Sequence, residues 1–138
     1  MFDRGVYMLL HSKPFKSKRI RRIRHLSILY IGQTYDRSLY ERINEHRNQW
    51  AAGFFDLPDR VTFKVGIVEP PTPRLTRKLL NDVEALLIIT QQPDYNLKLK
   101  DIYMGRDLRI ENDGMFKPLP EVISTDELTD ELEEIESE

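Results

Sequence analysis

GVYMLLH, residues 5–11, and LSILYIG, residues 26–32, are the two runs on which the fold turns. Both are apolar and rich in residues that suit a pleated strand, and both are too short for a packed helix. A glycine opens the first and closes the second. Between them, residues 12–25 carry Lys13, Lys16, Lys18, Arg19, Arg21, Arg22 and Arg24 and no acid. Two sequential strands separated by a polar segment read as an antiparallel hairpin with a long basic tip.

Working outward, Ser38 followed by Glu41 forms a capping box, which predicts a helix carrying Leu39, Ile43, the stem of Arg47 and Trp50 on one stripe. Gly53 is placed to end it. VTFKVGIVE, residues 61–69, alternates as a third strand. Pro70, Pro71 and Pro73 break the chain. Thr72 with Pro73 at the first position predicts a second helix, bearing Leu75, Leu79, Val83, Leu86 and Leu87 and stopping before Pro93. Residues 97–118 carry no clear period; Asn112-Asp113-Gly114 marks a turn that two short strands would flank. Ser124 and Glu127 would cap a short helix with Leu128, Leu132 and Ile135 on one side, marginal by itself at about a dozen residues. The order β-β-α-β-α predicts an α+β fold, a small three-stranded antiparallel sheet flanked by helices.

At 138 residues the chain is one domain's worth. No apolar run approaches the ~18 residues that a membrane span requires. The start, MFDRGVYMLL, contains an acid and no apolar signal region, so a soluble, cytoplasmic protein is expected. With no cysteine, disulfides, thiol catalysis and Cys-ligated zinc are excluded. The net charge of −2 hides a split. Residues 1–118 hold all 21 Lys and Arg and a net of +7, whereas residues 119–138 hold nine acids and no base. The expected organisation is a basic body over 1–118, with its insertion at 12–25, and an acidic tail over 119–138 that is disordered or a short amphipathic helix. Such a body attracts polyanions, and such a tail competes for the same surface.

Each candidate residue has a plain structural reading. Tyr7 and Tyr30 on strands are ordinarily core residues with a hydroxyl at the rim. Gly32 either ends its strand or lets a group approach the backbone closely. Arg42 and His46, four apart, share a helix face that is ordinarily solvated. Glu84 lies among apolar neighbours in VEALLII, where a carboxylate is costly to bury unpaired and so either reaches the edge or binds a cation. Asn96 in QQPDYNLK reads as a turn residue.

Taken in order, Gly5-Val6-Tyr7, Tyr30-Ile31-Gly32-Gln33-Thr34, Arg42, His46, Glu84, Pro93 and Asn96 resemble the GIY-YIG nuclease family. The resemblance spans residues 5 to about 98, about seventy per cent of the chain. Each short motif is weak alone; five landmarks in sequence on the expected elements are specific. The resemblance implies a three-stranded antiparallel sheet with helices and a metal-dependent cleavage of phosphodiester bonds in DNA. It implies that Glu84 is the sole protein ligand of one Mg²⁺ or Mn²⁺, with water and phosphate oxygen completing the shell. Arg42 would face the scissile phosphate. Tyr7 would be the general base, helped by a nearby cation and by Arg42, with His46 accepting or bonding its proton. Tyr30 would orient water or phosphate, the roles of the two tyrosines being exchangeable. Asn96 would fix the geometry from behind.

The sequence departs from the family pattern in three places. Val6 stands where Ile is usual. Twenty-three positions separate Tyr7 from Tyr30, more than in the commonest members, and the extra length is the basic segment. That segment reads as an added element tracking the DNA backbone, or as a hairpin tip that is merely basic and solvated. Gln33 follows Gly32 where some repair-type members have Lys. No further DNA-reading module is evident, so specificity would come from the domain, its insertion, a homodimer or a protein partner. Trp50, Phe54 and Phe55 either stack on unpaired bases or fill the core. RNA stays open as a substrate, since nothing in the sequence reads a 2′-hydroxyl. The second functional class is a catalytically silent nucleic-acid-binding or regulatory module whose acidic tail docks a partner or mimics nucleic acid.

Overall fold

The computed structural model describes residues 4–14, 24–36, 38–48, 60–113 and 118–128. In chain order the elements are β1 (Gly5–Pro14), β2 (Arg24–Gln33), α1 (Leu39–Asn48), β3 (Arg60–Ile67), α2 (Arg77–Gln91), β4 (Arg109–Glu111) and β5 (Val122–Ser124). β1 lies between β2 and β3, and both pairings are antiparallel. This is the α+β architecture with a three-stranded antiparallel sheet and helices that the sequence predicts.

β1 is central because it is apolar on both faces. Val6, Tyr7, Met8, Leu9 and Leu10 are all buried. Val6, Met8 and Leu10, with Ile31 from β2, pack against Leu80, Val83, Leu86, Leu87 and Ile88 of α2. Tyr7 and Leu9 point the other way and meet Leu29, Tyr30, Phe63 and Leu39 of α1. The period of two thus gives the single strand two cores. Each fully buried aliphatic side chain there contributes about 1.5–3 kcal/mol over leaving it exposed. The pairing of β1 with β2 slips once, between Leu9 and Leu10, as a bulge.

The strands run further into the basic segment than their apolar residues do. Lys13 pairs with His25 and Pro14 with Arg24. Backbone pairing ignores side-chain charge as long as the side chains reach water. Residues 15–23 lie outside the described residues.

α2 starts one turn later than Thr72-Pro73 predicts. Thr76 is its N-cap, the hydroxyl accepting from the Leu79 N–H at 3.1 Å, and Thr72 instead donates to the Arg74 carbonyl. The helix ends as expected ahead of Pro93, on a left-handed Gln92 whose N–H donates to the Ile88 carbonyl. At α1, the Ser38 hydroxyl accepts from the Glu41 N–H at 3.1 Å. Arg4 and Arg77 both lie over the Tyr35 ring, 4.1 and 4.7 Å from its centroid, and Arg77 also pairs with Asp36. This ties the start of α2 to the turn after β2.

The body does not end at residue 118. β5 pairs with β4, Thr125 exchanges hydrogen bonds with Leu108, and Leu119 and Ile123 enter the α2 core. The acidic composition hid this, because Glu121, Asp126 and Glu127 point to solvent while Leu119 and Ile123 point inward. A helical turn at 126–128 follows Ser124, whose hydroxyl accepts from the Asp126 N–H. Leu132 and Ile135 lie outside the described residues. No helix among the described residues is long and apolar enough to cross a membrane.

Candidate active site

Tyr7 on β1 stands directly across from Gly32 on β2. A Cβ at position 32 would lie 2.3 Å from the Tyr7 hydroxyl, so the phenol occupies the space that any other side chain would fill. Gly32 is therefore required by a close approach, which sets the hydroxyl against β2, an outer strand of the three-stranded sheet. Tyr30 lies beside it, with ring centroids 6.1 Å apart and planes inclined at 33°. From α1, the Arg42 Nε donates to the Tyr7 hydroxyl at 3.2 Å, and its other nitrogen pairs with Glu45 at 2.9 Å, one turn along the same helix.

Asn96 pins this strand from outside. Its amide oxygen accepts from the Ile31 N–H at 2.9 Å and its amide nitrogen donates to the Ile31 carbonyl at 3.0 Å. Tyr95 N–H donates to the Leu29 carbonyl alongside. The segment after Pro93 thus satisfies the open edge of β2 as a partner strand would. Ile31 sits between Tyr30 and Gly32, so a buried Asn96 holds the two positions that shape the tyrosine pair.

Glu84 comes from α2. Burial pushes its carboxyl up to about 7, against the opposing pull of the Gln33 amide and the Arg42 guanidinium. Its Oε2 is buried and has no hydrogen-bond partner among the described residues. Its charge in turn acts on both phenols. Tyr7, Tyr30 and Arg42 are thus in contact, and Glu84, on the helix that packs against the other face of β1, acts on them through its charge.

The phenols differ. Burial raises both above the ordinary tyrosine range, with Arg42 opposing. Without a cation, desolvation of the fully enclosed Tyr7 ring outweighs the Arg42 guanidinium. Tyr30 is only half-buried and receives a hydrogen bond from Tyr7 that favours its ionised form, whereas a charge on Tyr30 makes Tyr7 harder to ionise. Around Arg42, burial disfavours the charge, but Tyr7, Tyr30 and Glu45 outweigh it and raise its pKa.

His46 follows Arg42 by one turn of α1, and its side chain lies outside the described residues. So do Lys16, Lys18, Arg19, Arg21 and Arg22, together with Trp50, Phe54 and Phe55. Lys13 and Arg24 stand at the paired ends of β1 and β2, their side chains also outside the described part. The sequence reading gave Thr34 and Gln33 no structural role and passed over Asn81. Thr34, fully buried, bonds both backbone groups of Gly5 and so holds the start of β1. Gln33 and Asn81 join β2 to α2 through their side-chain amides. The signal for Asn81 was its spacing, one turn before Glu84.

No group of three or more His, Asp or Glu suited to a metal occurs among the described residues. An open cavity of about 630 Å³ separates α2 from the 97–105 segment, with Asn81, Glu84, Leu97 and Met104 on its walls. Tyr7, Tyr30 and Arg42 are not among the residues that line it. Comparison of the chain with family models, with curated proteins and with solved structures returns no match, and a family assignment therefore rests on the residues themselves.

Proposed function

We propose that the protein is a GIY-YIG-type endonuclease that hydrolyses phosphodiester bonds in DNA with one divalent cation. The reading is carried by Tyr7, Tyr30 and Arg42, joined by a hydrogen bond and a ring contact, with the charge of Glu84, 77 positions from Tyr7, acting on all three. Two phenols, a guanidinium and one acid are an economical set for activating water and stabilising a phosphorane-like charge.

Glu84 would hold Mg²⁺ or Mn²⁺. The fit is chemical: a buried carboxylate oxygen without a donor is a hard ligand in want of a cation. Bound there, the cation would neutralise phosphate charge and make nearby protons more acidic. Arg42 would turn from Glu45 to the phosphate and stabilise the charge growing on its oxygens. Tyr30, as phenolate, would take the proton of the attacking water. Tyr7 would hold Tyr30 and Arg42 in place through its hydroxyl. The net positive charge of residues 1–118 favours a polyanionic substrate, and the basic segment would follow its backbone.

One observation favours the silent-module reading: Tyr7 is fully enclosed and Arg42 is engaged by Glu45. Digestion of plasmid DNA, single-stranded DNA and RNA with Mg²⁺, Mn²⁺ or EDTA separates the two. A nuclease cuts at least one substrate with metal and none with EDTA. Binding without cutting under every condition supports the silent module.

A further inference from the structure

We infer that Arg4 and Arg77, both laid on the ring of Tyr35, form a clamp for a phosphate of the DNA backbone, a short way along the strand from the bond that is cut; this rests on the DNA substrate of the reading above and not on cleavage itself. Arg4 precedes β1, Tyr35 belongs to the turn after β2, and Arg77 opens α2. Their guanidinium carbons lie 4.1 and 4.7 Å from the Tyr35 ring centroid. Tyr35 is itself packed against the core under α2, so the ring is a fixed platform. A guanidinium stacked on a ring is held by its plane, and the N–H groups at its rim stay available to hydrogen-bond.

One ring attracts one cation readily. A second cation brings like-charge repulsion, which an anion between the two removes. The described residues supply too little negative charge for both. Asp36 takes the two terminal nitrogens of Arg77 in a bidentate pair, and the remaining donors of that fork stay open. Arg4 forms no ion pair and no side-chain hydrogen bond among the described residues. Glu69 follows Val68, whose N–H donates to the Arg4 carbonyl, yet among the described residues it pairs with neither arginine. Arg74 and Lys78, both exposed, flank Arg77 in the chain and add positive charge. A phosphodiester supplies the missing anion, with oxygens that accept from guanidinium rims. That this phosphate belongs to a polymer follows from α2. Arg77, Asn81 and Glu84 stand four and three residues apart and so share one face of the helix. Arg77 reaches Asp36 and Asn81 reaches Gln33, so this face runs along the end of β2. Glu84 stands about 10 Å further along it than Arg77. A backbone crossing that stretch brings one phosphate to the arginines and another toward Glu84.

The alternative is that the two arginines only fasten the corner where β1, β2 and α2 meet. Equilibrium binding of a short labelled duplex, and of one of its single strands, to the full-length protein in EDTA over a series of salt concentrations separates the two. Wild type is compared with Arg4→Gln, Arg77→Gln and the double variant. Arg109→Gln, the same loss of charge on β4, is the control. The inference expects Arg4→Gln and Arg77→Gln each to weaken binding about threefold or more at low salt, and the double variant to lower the slope of log affinity against log salt by about one. Arg109→Gln should stay within about twofold of wild type. Affinity and slope that do not change in Arg4→Gln and the double variant, or losses that Arg109→Gln matches, overturn the inference and leave the nuclease reading standing. The expected losses in a protein that cuts no DNA with Mg²⁺ or Mn²⁺ overturn the nuclease reading and leave the clamp. A wild type that binds neither probe overturns the clamp and the DNA substrate together. Should Arg77→Gln fail to fold, Arg4→Gln decides alone, because the Arg4 guanidinium makes no hydrogen bond among the described residues that the fold would lose.

Discussion

Glu84 would face opposite demands in the free protein and in the metal-bound form proposed above. Without a cation, burial moves its carboxyl from the ordinary 4.5 to about 7, so the folded chain holds a proton that the unfolded chain has released. Stability then falls as pH rises between these values, because the folded state binds more protons over that window. Below about 4.5 both states are protonated and no penalty remains; above about 7 the whole penalty is present. The largest effect consistent with this shift is about 3 kcal/mol. Urea unfolding in EDTA at pH 5 and pH 8 should show wild type losing stability across the interval and Glu84→Gln losing much less. Equal slopes for the two proteins would mean that the carboxyl is not desolvated. A cation bound there as proposed would reverse the demand by favouring the carboxylate, and its affinity should drop about tenfold for each pH unit below about 7.

At the scale of elements, the site is held by one short connection outside the sheet. Asn96 bonds both backbone groups of Ile31, and removing it leaves a buried N–H and a buried carbonyl unpaired. Asn96→Ala should cost about 2–3 kcal/mol in urea unfolding, with Asn96→Asp, which keeps the acceptor and loses the donor, falling between it and wild type. A change below about half a kcal/mol would show that other contacts hold β2. The residues alone read Asn96 as a turn residue, and the resemblance implied a support from behind the site; the side chain in fact bonds the strand itself. The hairpin was equally readable, because alternating apolar runs are local. Its ends were not, since paired backbone at Lys13 and Arg24 carries charged residues that look like loop. The start of α2 was misjudged because two threonines precede prolines or basic residues in similar settings, and only the Leu79 N–H decides which one caps. Residues 97–108 had no period to read. They are held by side chains from a distance, such as Arg106 to Asp82 at 2.7 Å and Lys100 to the Pro93 carbonyl at 2.7 Å.

For the whole molecule, charge and packing divide the chain at different places. Composition changes at residue 118, while the core takes in Leu119 and Ile123. Ending the chain after Pro118 should unfold the protein or lower its melting temperature sharply, whereas ending it after Leu128 should leave thermal unfolding near wild type. The longer truncation product loses six acids and no base, which moves the net charge from −2 to +4. If the acidic end competes with nucleic acid, that product should bind DNA more tightly at low salt and converge with wild type as salt rises. Unchanged affinity at every salt concentration would remove the tail from the account. The central claim concerns chemistry rather than binding. It is met most directly by single-turnover cleavage of a DNA substrate in Mg²⁺, with DNA affinity measured in parallel, for wild type, Glu84→Ala and Arg42→Ala. Metal-dependent cleavage by wild type, lowered about 10²-fold or more in each variant while affinity stays within a few-fold, is the predicted result. Cleavage that persists undiminished in Glu84→Ala, or no cleavage by wild type of any duplex, single-stranded, flap or branched DNA, would contradict it.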